Sequence, residues 1–512
     1  MATRTIQLEL NRVEGDLSFE LQLEHHKVIN ARCIGALYRG FEQILIGRKP
    51  TDSLVITPRI CGICGTAQLN AAVLALEHIG KIPVPANALR IRNLCLMAET
   101  TQSDLRQSFL FFTADFCHQK YRHHPLYEQA RAAFQPFQGS VHRGALENSR
   151  HIVEIIALFG GQWPHSSYML PGGVTTPATG RNIIDSLSIL NKLTRWFEQD
   201  VLGTQLDNWL ALQNADDFFN WLTAKPAHAD SAIGLFTRLS RDIGLQNTGF
   251  GTPHMLSYGA YDDPDDAHTA AAHRKRLSKA GFLNGDTGQI EAFDQAEISE
   301  HVRYSWFLPY PGGRHPWQGQ TIPDYQPQSD RYTWCKAPRY QDRVIQTGPL
   351  ADALIDAEPL ICSLYQAEGD NAWLRQFARL HRTARLLLKM RDMLNALAAH
   401  TNDAHMLSPA IADIPDGEGF GLITAARGAL GHWLQISHGV ISRYQIVTPT
   451  AWNASPKDSA GRHGHWERSL IGLTVDDPDD PVEIGHIIRS HDPCLVCTVH
   501  LLDVGKRITL WP

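Results

Sequence analysis

The sequence lacks several features that define whole classes of protein. It contains no run of about 18 uncharged apolar residues, so no segment is predicted to span a bilayer. Basic residues are not in excess: 47 Lys and Arg stand against 53 Asp and Glu, which argues against electrostatic binding to nucleic acid or to anionic membranes. Internal repeats, low-complexity tracts and flexible linkers are also missing. Because the first residues lack the apolar stretch of a signal peptide, we expect a cytoplasmic protein.

The chain is long enough and apolar enough to build a sizeable core. Its 512 residues are 43% hydrophobic and 20% charged, a composition typical of folded globular proteins. This length corresponds to about three domains or to one large body. We predict a single body over residues 1–512.

The spacing of apolar residues predicts a mainly α fold with a small N-terminal β-sheet. Apolar and polar residues alternate in two stretches of residues 1–35, which predicts a β-hairpin region there. Residues 57–400 are predicted to form a long-helix bundle. Its helical segments begin just after Cys64 and then cover about 87–115, 144–159, 181–202, 208–222 and 372–399.

Two further regions have a different character. Between about 245 and 350 the periodicity weakens into Gly, Pro, Trp, Tyr and Asp, which predicts a loop-rich insertion with little regular structure. Residues 401–500 form a C-terminal segment that contains several of the candidate site residues, and 501–512 form a short tail.

Cysteine is scarce, and its placement is informative. Nine cysteines in 512 residues lie far below the density of a disulfide scaffold, and an odd count leaves at least one thiol unpaired. Four of the nine form two C-x-x-C pairs, Cys61/Cys64 and Cys494/Cys497. Since this spacing aims two sulfurs at one point, the pairs can supply four thiolate ligands, which suit late transition metals. For the other five we predict burial as small hydrophobic residues: Cys33, Cys95, Cys117, Cys335 and Cys362.

The residues alone leave three interpretations of the two pairs. A C-x-x-C is often a redox dithiol, but neither pair lies in a βαβ pattern. Four cysteines often hold a structural zinc ion, whose ribbon-type sites place the pairs about 15–20 residues apart. Here 430 positions separate Cys64 from Cys494, and a site that joins both ends of a helical chain is typical of the centre of an enzyme. The residues alone therefore favour a catalytic metal and a structural zinc ion equally.

Several short motifs, taken together and in order, resemble those of one enzyme family. R-x-C-G-x-C at 59–64 and D-P-C-x-x-C-x-x-H at 492–500 are similar to the large subunit of nickel–iron hydrogenases. Supporting segments are R-V-E-G at 12–15, R-G-F-E at 39–42, K-A-P-R-Y at 336–340 and R-G-A-L-G-H-W at 427–433. The resemblance covers nearly the whole chain and implies the large-subunit fold of that family.

The resemblance implies a nickel–iron centre and the reversible heterolytic cleavage of H2. Nickel is then held by Cys61, Cys64, Cys494 and Cys497. Cys64 and Cys497 also bind an iron that carries carbon monoxide and cyanide. A terminal thiolate, here assigned to Cys494, can act as the base that receives the departing proton.

Three other positions match residues that assist catalysis in the family. Glu14 matches a glutamate that relays protons, although an exposed carboxylate in a turn is the plainer alternative. Arg427 matches an arginine that lies over the metals, and Asp492 matches the aspartate that orients it. The alternative for Arg427 is a surface cation ahead of a helix-like stretch at 429–433.

The resemblance also implies a second cation site and residues around the centre. Glu42 and His500 match ligands of a magnesium or other divalent ion, for which a plain ion pair is the alternative. Arg59 either balances thiolate charge or caps a turn.

A partner chain is implied because the remaining cysteines have no cluster-like spacing. In the family, iron–sulfur clusters lie in a separate small subunit, so we expect a heterodimer, with further dimerisation left open. Some relatives lose a C-terminal extension after the last histidine, and here such a cut would fall between His500 and Leu501.

The first motif departs from the usual family pattern at one position. Gln68 stands where a histidine normally follows the second cysteine by four residues, and glutamine carries no charge. This exchange resembles the regulatory, H2-sensing branch of the family. We therefore favour an H2 sensor that signals to a histidine kinase, with an energy-conserving uptake hydrogenase as the alternative.

Two more distant alternatives are also weighed. Related scaffolds serve as assembly or proton-pumping modules of quinone oxidoreductases, but these relatives typically lose the four cysteines, which are all present here. A zinc-stapled helical scaffold without catalysis is the other alternative.

Overall fold

Helices predominate in the protein, as the sequence predicts. The computed structural model describes residues 3–407 and 414–495; the predicted ligands Cys497 and His500 and the tail at 501–512 lie outside them. Within the described residues, five small antiparallel sheets of two or three strands complete the fold. In the same part of the chain, every helix is too short or too polar to cross a bilayer.

The helices occupy most of the region between the two ends of the chain. They are α1 (Phe41–Leu45), α2 (Ser53–Ile56), α3 (Gly65–Gly80), α4 (Ala86–Arg106), α5 (Tyr127–Phe134), α6 (Ser140–Ile152), α7 (Glu154–Gly160), α8 (Gly180–Trp196), α9 (Leu206–Leu210), α10 (Ala215–Ala224), α11 (Pro226–Asp230), α12 (Ala232–Asp242), α13 (Pro349–Ile355), α14 (Pro359–Glu368), α15 (Ala372–Ala399), α16 (Pro449–Asn453), α17 (His465–Leu470) and α18 (Val482–Arg489). The longest, α15, has 28 residues.

The periodic segments of the sequence form helices, some of which are interrupted. α15 coincides with the predicted segment, whereas α4 ends earlier than predicted and continues as a π-helical turn, Gln107–Phe112. The segment predicted at 208–222 divides into α9 and α10 because Asn214 caps α10, its side chain accepting a hydrogen bond from the Asp217 amide. Local capping thus divides helices that apolar periodicity alone would join.

The N-terminal sheet packs against helices from the far end of the chain. Its strands are β1 (Arg4–Glu9), β2 (Leu17–Glu24) and β3 (Lys27–Gly35), in that order. The alternating residues Leu8, Phe19 and Leu21 are buried on one face. They share a hydrophobic cluster with Ile484 and Ile487 of α18. This packing brings the two ends of the chain together.

The region at 245–350 contains more regular structure than the sequence predicts. The strands in the middle of the chain are β4 (Met169–Leu170), β5 (Gly173–Val174), β6 (Met255–Asp262), β7 (Arg276–Asn284), β8 (Gln289–Glu291), β9 (Ile298–His301), β10 (Gly313–Arg314) and β11 (Ala337–Tyr340). Six of them, β6 to β11, lie in this region. In β6 seven of eight residues are buried, so its sequence shows no polar–apolar alternation that would indicate a strand.

The stretch after Arg427 forms a strand and is not helix-like, in contrast to what the sequence suggests. Here β12 (Gly417–Ala425), β13 (Gly428–Ser437) and β14 (Val440–Val447) form an antiparallel sheet. Ala425 pairs with Gly428, which leaves Arg427 in a two-residue turn at the end of the sheet. The sheet lies close to α3: a Cβ atom on Gly421 would be 1.9 Å from the carbonyl oxygen of Ala71. Glycine therefore permits the approach that places Arg427 near the start of α3.

A buried ion cluster also ties the two ends together. Asp115, beyond α4, accepts from the guanidinium of Arg12 and, at 2.7 Å, from that of Arg489. Arg489 also donates to the carbonyl oxygen of Asn11 at 2.9 Å. Although burial acts to raise it, the two arginines hold the pKa of Asp115 well below its usual value. The cluster fixes the loop that carries Glu14 against the end of α18.

We expect Asp115→Asn to destabilise the protein by about 3–5 kcal/mol, because it leaves two buried cations without a carboxylate. Since folding lowers the pKa of Asp115, its contribution is present above the unfolded-state pKa of about 3.9 and is lost as the pH falls below it. Urea unfolding at neutral and acidic pH measures both effects. Asp330→Asn, which breaks a half-exposed pair with Arg303, is the control and should cost under about 1 kcal/mol. Equal losses of stability in the two variants would contradict the role given to Asp115 in the buried ion cluster.

Candidate metal centre

Three of the four predicted cysteine ligands lie together in the interior. The Sγ atoms of Cys61 and Cys494 are 3.6 Å apart. With Cys64, they form a group whose sulfur atoms all lie within 4.8 Å of one another. All three residues are buried. The structure thus joins a cysteine near the C-terminus to the pair near the N-terminus, and Cys497 lies outside the described residues.

The first pair lies on the loop that leads into α3. Cys64 is the residue directly before the helix, and the backbone amide of Ile63 donates to the Cys61 sulfur at 3.3 Å. Gly65 opens the helix, where a Cβ atom would be 2.9 Å from the carbonyl oxygen of Pro58. The positive end of the helix dipole favours the thiolate form of a cysteine at this position.

Cys494 is held by backbone pairing with the loop that carries Glu14. The two residues form a parallel bridge in which the amide of Leu495 donates to the carbonyl oxygen of Glu14 at 2.6 Å. The amide of Glu14 donates in turn to the carbonyl oxygen of Pro493 at 3.3 Å. The Cys494 amide donates to the Thr450 hydroxyl at 3.2 Å. Glu14 and the Cys494 sulfur therefore belong to one rigid site.

The carboxyl group of Glu14 is half-buried and electrostatically coupled to the cysteines. Burial and the nearby Cys61 raise its pKa above the ordinary value, while Arg427 and Arg106 act in the opposite direction. A carboxyl group with a raised pKa accepts a proton more readily near neutral pH than an exposed glutamate does. The exposed turn carboxylate considered from the sequence does not describe this environment.

Arg427 and Asp492 form a buried ion pair beside the sulfurs. Their closest nitrogen and oxygen atoms are 3.0 Å apart, and both side chains are almost fully buried. Burial acts to lower the pKa of Arg427, but Asp492 and the three cysteines raise it overall. Asp492 has a positive φ of 57°, which turns the chain sharply just before Cys494. Arg427 is therefore not a surface cation.

Gln68 takes part in a buried hydrogen-bond chain. Its Oε1 lies 2.8 Å from Nε2 of His432, and Nδ1 of His432 lies 2.8 Å from the Tyr444 hydroxyl. Because an amide oxygen only accepts, the proton of His432 is on Nε2 and Nδ1 accepts from Tyr444. Burial lowers the pKa of His432 to about 3, so the ring is neutral. The Gln68 Nε2 atom is buried without a hydrogen-bond partner among residues 3–407 and 414–495.

Glu99 is a residue of α4 whose carboxylate contacts the start of α3, and it was not predicted as a site residue. Its two carboxylate oxygens accept from the amides of Thr66 and Ala67, at 2.7 and 2.9 Å. Burial is the main cause that raises the pKa of Glu99 to about 7. The available signal was a lone carboxylate directly after five apolar residues in a helical segment. Glu99 anchors the helix whose first turn follows Cys64.

Arg59 and Glu42 contact groups other than the three sulfurs. Arg59 is exposed, and its guanidinium donates to the carbonyl oxygen of Val55, which matches the turn-capping alternative. Glu42 accepts from the Ile446 amide at 2.9 Å and lies 3.6 Å from the ammonium group of Lys336. Lys336 also contacts Glu300, at 3.3 Å, beside a cavity of about 70 Å³. The ion pair considered for Glu42 is thus present, while His500 lies outside the described residues.

The donor set fits a soft, late transition metal better than magnesium or calcium. Three converging cysteine sulfurs supply anionic thiolates, which are the ligands that nickel, iron and zinc accept. Nε and Nη1 of Arg427 are buried without a hydrogen-bond partner in the described part of the chain. These donors can bind acceptor groups on a metal in this position.

Comparison with known proteins agrees with this fold. The family described as nickel-dependent hydrogenase matches residues 39–119 and 237–500. The chain therefore belongs to the nickel-dependent hydrogenase family, which is a family of enzymes.

Individual relatives match over nearly the whole length of the chain. The chain is 31% identical to the periplasmic [NiFeSe] hydrogenase large subunit of Desulfomicrobium baculatum, over 96% of this chain and 94% of the relative. It is 27% identical to the uptake hydrogenase large subunit of Bradyrhizobium diazoefficiens, over 96% and 94%. Its fold is similar to the Ni-Fe-Se hydrogenase from D. vulgaris Hildenborough, with a TM-score of 0.82 and 28% identity over 98% of this chain and 100% of that one.

Proposed function

We propose that Cys61, Cys64 and Cys494, together with Cys497, hold nickel, and that Cys64 and Cys497 also bind iron carrying carbon monoxide and cyanide. The 3.6 Å distance between the sulfurs of Cys61 and Cys494 supports this assignment. Such a centre supplies the chemistry that cleaves H2 heterolytically. The residues of the chain hold the metals, remove the proton and exclude water.

We infer that the proton leaves through the Cys494 thiolate and the Glu14 carboxylate. The support is the backbone bridge that fixes Glu14 beside Cys494. Burial and Cys61 also raise the pKa of Glu14, which makes the carboxylate a better base at neutral pH. Glu14 then releases the proton toward the surface, on the side where its own loop is exposed.

Arg427 is proposed to stabilise charge that develops at the metals. Its ion pair with Asp492 fixes one end of the guanidinium, and two nitrogens remain to donate toward the centre. Asp492 orients Arg427 and compensates its buried charge.

Electron transfer is proposed to require a partner. Among residues 3–407 and 414–495, the one group of three or more potential metal ligands is that of Cys61, Cys64 and Cys494. The other cysteines in this part are buried, apart from Cys362. Burial was predicted for Cys362, but it is only half-buried. We propose an iron–sulfur small subunit as the electron acceptor, in a heterodimer or a dimer of heterodimers.

We keep magnesium as a proposal for the site at Glu42. The Glu42 carboxylate borders the cavity of about 70 Å³ and is the type of hard oxygen ligand that magnesium prefers. His500 is the second proposed ligand.

We propose H2 sensing in the cytoplasm, through a histidine kinase, as the biological use of this chemistry. The supporting observation is Gln68, which places a neutral amide beside the cysteine loop where an ionisable group would carry protons. An uptake role is the second candidate, since a relative carries the name uptake hydrogenase.

Gln68→His is expected to raise the H2 oxidation rate several-fold, because even a neutral imidazole can accept a proton on one ring nitrogen and release one from the other, which an amide cannot do. The measurement is turnover with an artificial electron acceptor at equal nickel content. Gln7→His on an exposed face of β1 is the control. An unchanged rate in the Gln68 variant would contradict the role given to this residue.

The proposed centre is tested on the protein purified with its small subunit. We expect about one nickel per chain, with iron retained, and H2-dependent reduction of an acceptor dye. Zinc alone in the site, with no H2 oxidation, would support the non-catalytic scaffold instead.

A further inference from the structure

Two buried arginines and one largely buried arginine lie on one face of α15 and point toward the segments that carry Arg427 and Asp492. They are Arg375, Arg379 and Arg382, at the i, i+4 and i+7 spacing that aligns side chains along a helix. Burying three like charges on one helix face is costly unless each has a partner. The groups that pair with these arginines therefore indicate the role of this face of α15.

Arg382 joins α4 to the hairpin that carries Arg427. Its Nη2 and Nε atoms donate to the two carboxylate oxygens of Asp104, at 2.6 and 3.0 Å. The same Nη2 donates to the carbonyl oxygen of Ala426 at 2.5 Å. Ala426 directly precedes Arg427 in the two-residue turn between β12 and β13. One guanidinium thus fixes the backbone that carries Arg427.

Arg379 does the same for the segment that carries Asp492. It donates to the carbonyl oxygen of Ser490 at 3.1 Å, and its Nε lies 3.8 Å from Asp104. Arg375 holds the hydroxyl of Ser490 at 2.9 Å. The backbone two residues before Asp492 is therefore attached to the same helix face.

Asp104 is the common partner of this arrangement. It is fully buried on α4 and contacts both Arg379 and Arg382. The residue before it, Ser103, donates to Asp492 at 3.4 Å. The two segments that meet in the Arg427–Asp492 ion pair are both fixed to α4 and α15 around one carboxylate.

We propose that Asp104, Arg379 and Arg382 form a clamp that positions Arg427 and Asp492 relative to each other and to the cysteine sulfurs. These three residues are positioning residues, since they act through the ion pair. The inference rests on the proposed role of Arg427.

The charge arrangement explains why a carboxylate is required at this place. Arg379 and Arg427 are buried cations and Arg382 is largely buried, while Asp104 and Asp492 are the carboxylates that pair with them. Without Asp104, Arg379 loses this carboxylate and Arg382 keeps Asp352 at 3.4 Å, so the positive charge that repels Arg427 through the low-dielectric interior increases. The hydrogen bond to Ala426 additionally fixes the turn itself, independently of charge.

Arg382→Lys tests the clamp because it keeps the charge but cannot bind both oxygens of Asp104 and the Ala426 carbonyl together. In the holoenzyme with its small subunit, we expect kcat to fall about 10–100-fold, with nickel content and the KM for H2 unchanged. We also expect the infrared bands of the iron-bound carbon monoxide and cyanide to shift, which a loss of folded protein does not produce.

Asp104→Asn removes the anchor at equal volume and should shift the same bands, so the test does not depend on one variant folding. Arg385→Lys is the matched control: it changes the next arginine of α15, which lies 3.8 Å from Asp356 and outside the clamp. It should leave the bands and kcat unchanged.

A double-mutant cycle tests whether the clamp acts through Arg427. If the clamp acts through Arg427, the R382K/R427K enzyme is no slower than R427K alone. Additive losses, unshifted bands in R382K and D104N, or equal effects of R385K would overturn the clamp. An unchanged R427K enzyme would instead contradict the proposed role of Arg427, and a slow R427K with an unchanged R382K would contradict the clamp alone.

Discussion

Cys494→Ala is expected to leave the protein without nickel and without H2 oxidation. Its sulfur lies 3.6 Å from that of Cys61, and the pairing with Glu14 holds it in place. Alanine removes a thiolate that the remaining sulfurs cannot replace, because the other described cysteines lie outside this group. Metal analysis of the purified heterodimer and dye reduction under H2 measure the two losses.

Cys95→Ala is the matched control for this experiment. Cys95 is as deeply buried as Cys494 but lies within α4, outside the group of converging sulfurs. It should keep about one nickel per chain and normal turnover. Retained nickel in the Cys494 variant, or equal loss in the Cys95 variant, would contradict the assignment of Cys494 as a ligand.

Glu14→Gln is expected to lower turnover by about 10²–10⁴, the range for loss of a positioned acid–base group. The amide has the shape of the carboxylate but cannot take up a proton near neutral pH. Nickel content should be unchanged because the backbone of residue 14, and not its side chain, pairs with the Cys494 segment. Exchange of deuterium between D2 and water should fall with turnover, whichever electron acceptor is used.

Asp16→Asn, in the same loop and exposed, is the control for Glu14 and should have little effect. A Glu14→Gln enzyme with normal turnover and exchange would show that protons leave by another route. A loss of turnover that merely follows a loss of nickel would also count against the relay.

The parts of the fold that the sequence predicts are those with a clear local pattern. α15 and the strands β1 and β2 follow from apolar spacing of 3.6 and 2 residues. β13 was misjudged because Ala429, Leu430 and Trp433 also match helical spacing. Gly428 and Gly431 were the contrary signal, since glycine disfavours a helix interior. Its identity as a strand depends on pairing with β12 and β14, which spacing alone does not show.

The candidate site also has features that the sequence predicts and features that depend on packing. The meeting of Cys61 and Cys494 was expected from motifs at both ends of the chain, and the packing of β1–β3 on α18 provides its physical basis. The contact of Asp104 with Arg382, 278 positions away, depends on how two long helices pack and has no sequence motif. Positions that act through packing alone carry no motif, whereas the convergence of Cys61, Cys64 and Cys494 follows from two C-x-x-C motifs.

We propose that cysteines from opposite ends of the chain bind one nickel. Diffraction from crystals of the holoenzyme, recorded on both sides of the nickel absorption edge, tests it most directly. We predict a single nickel peak within bonding distance of the Sγ atoms of Cys61 and Cys494. A metal peak at this position that does not change across the nickel edge, as zinc would give, or nickel bound elsewhere, would contradict this assignment.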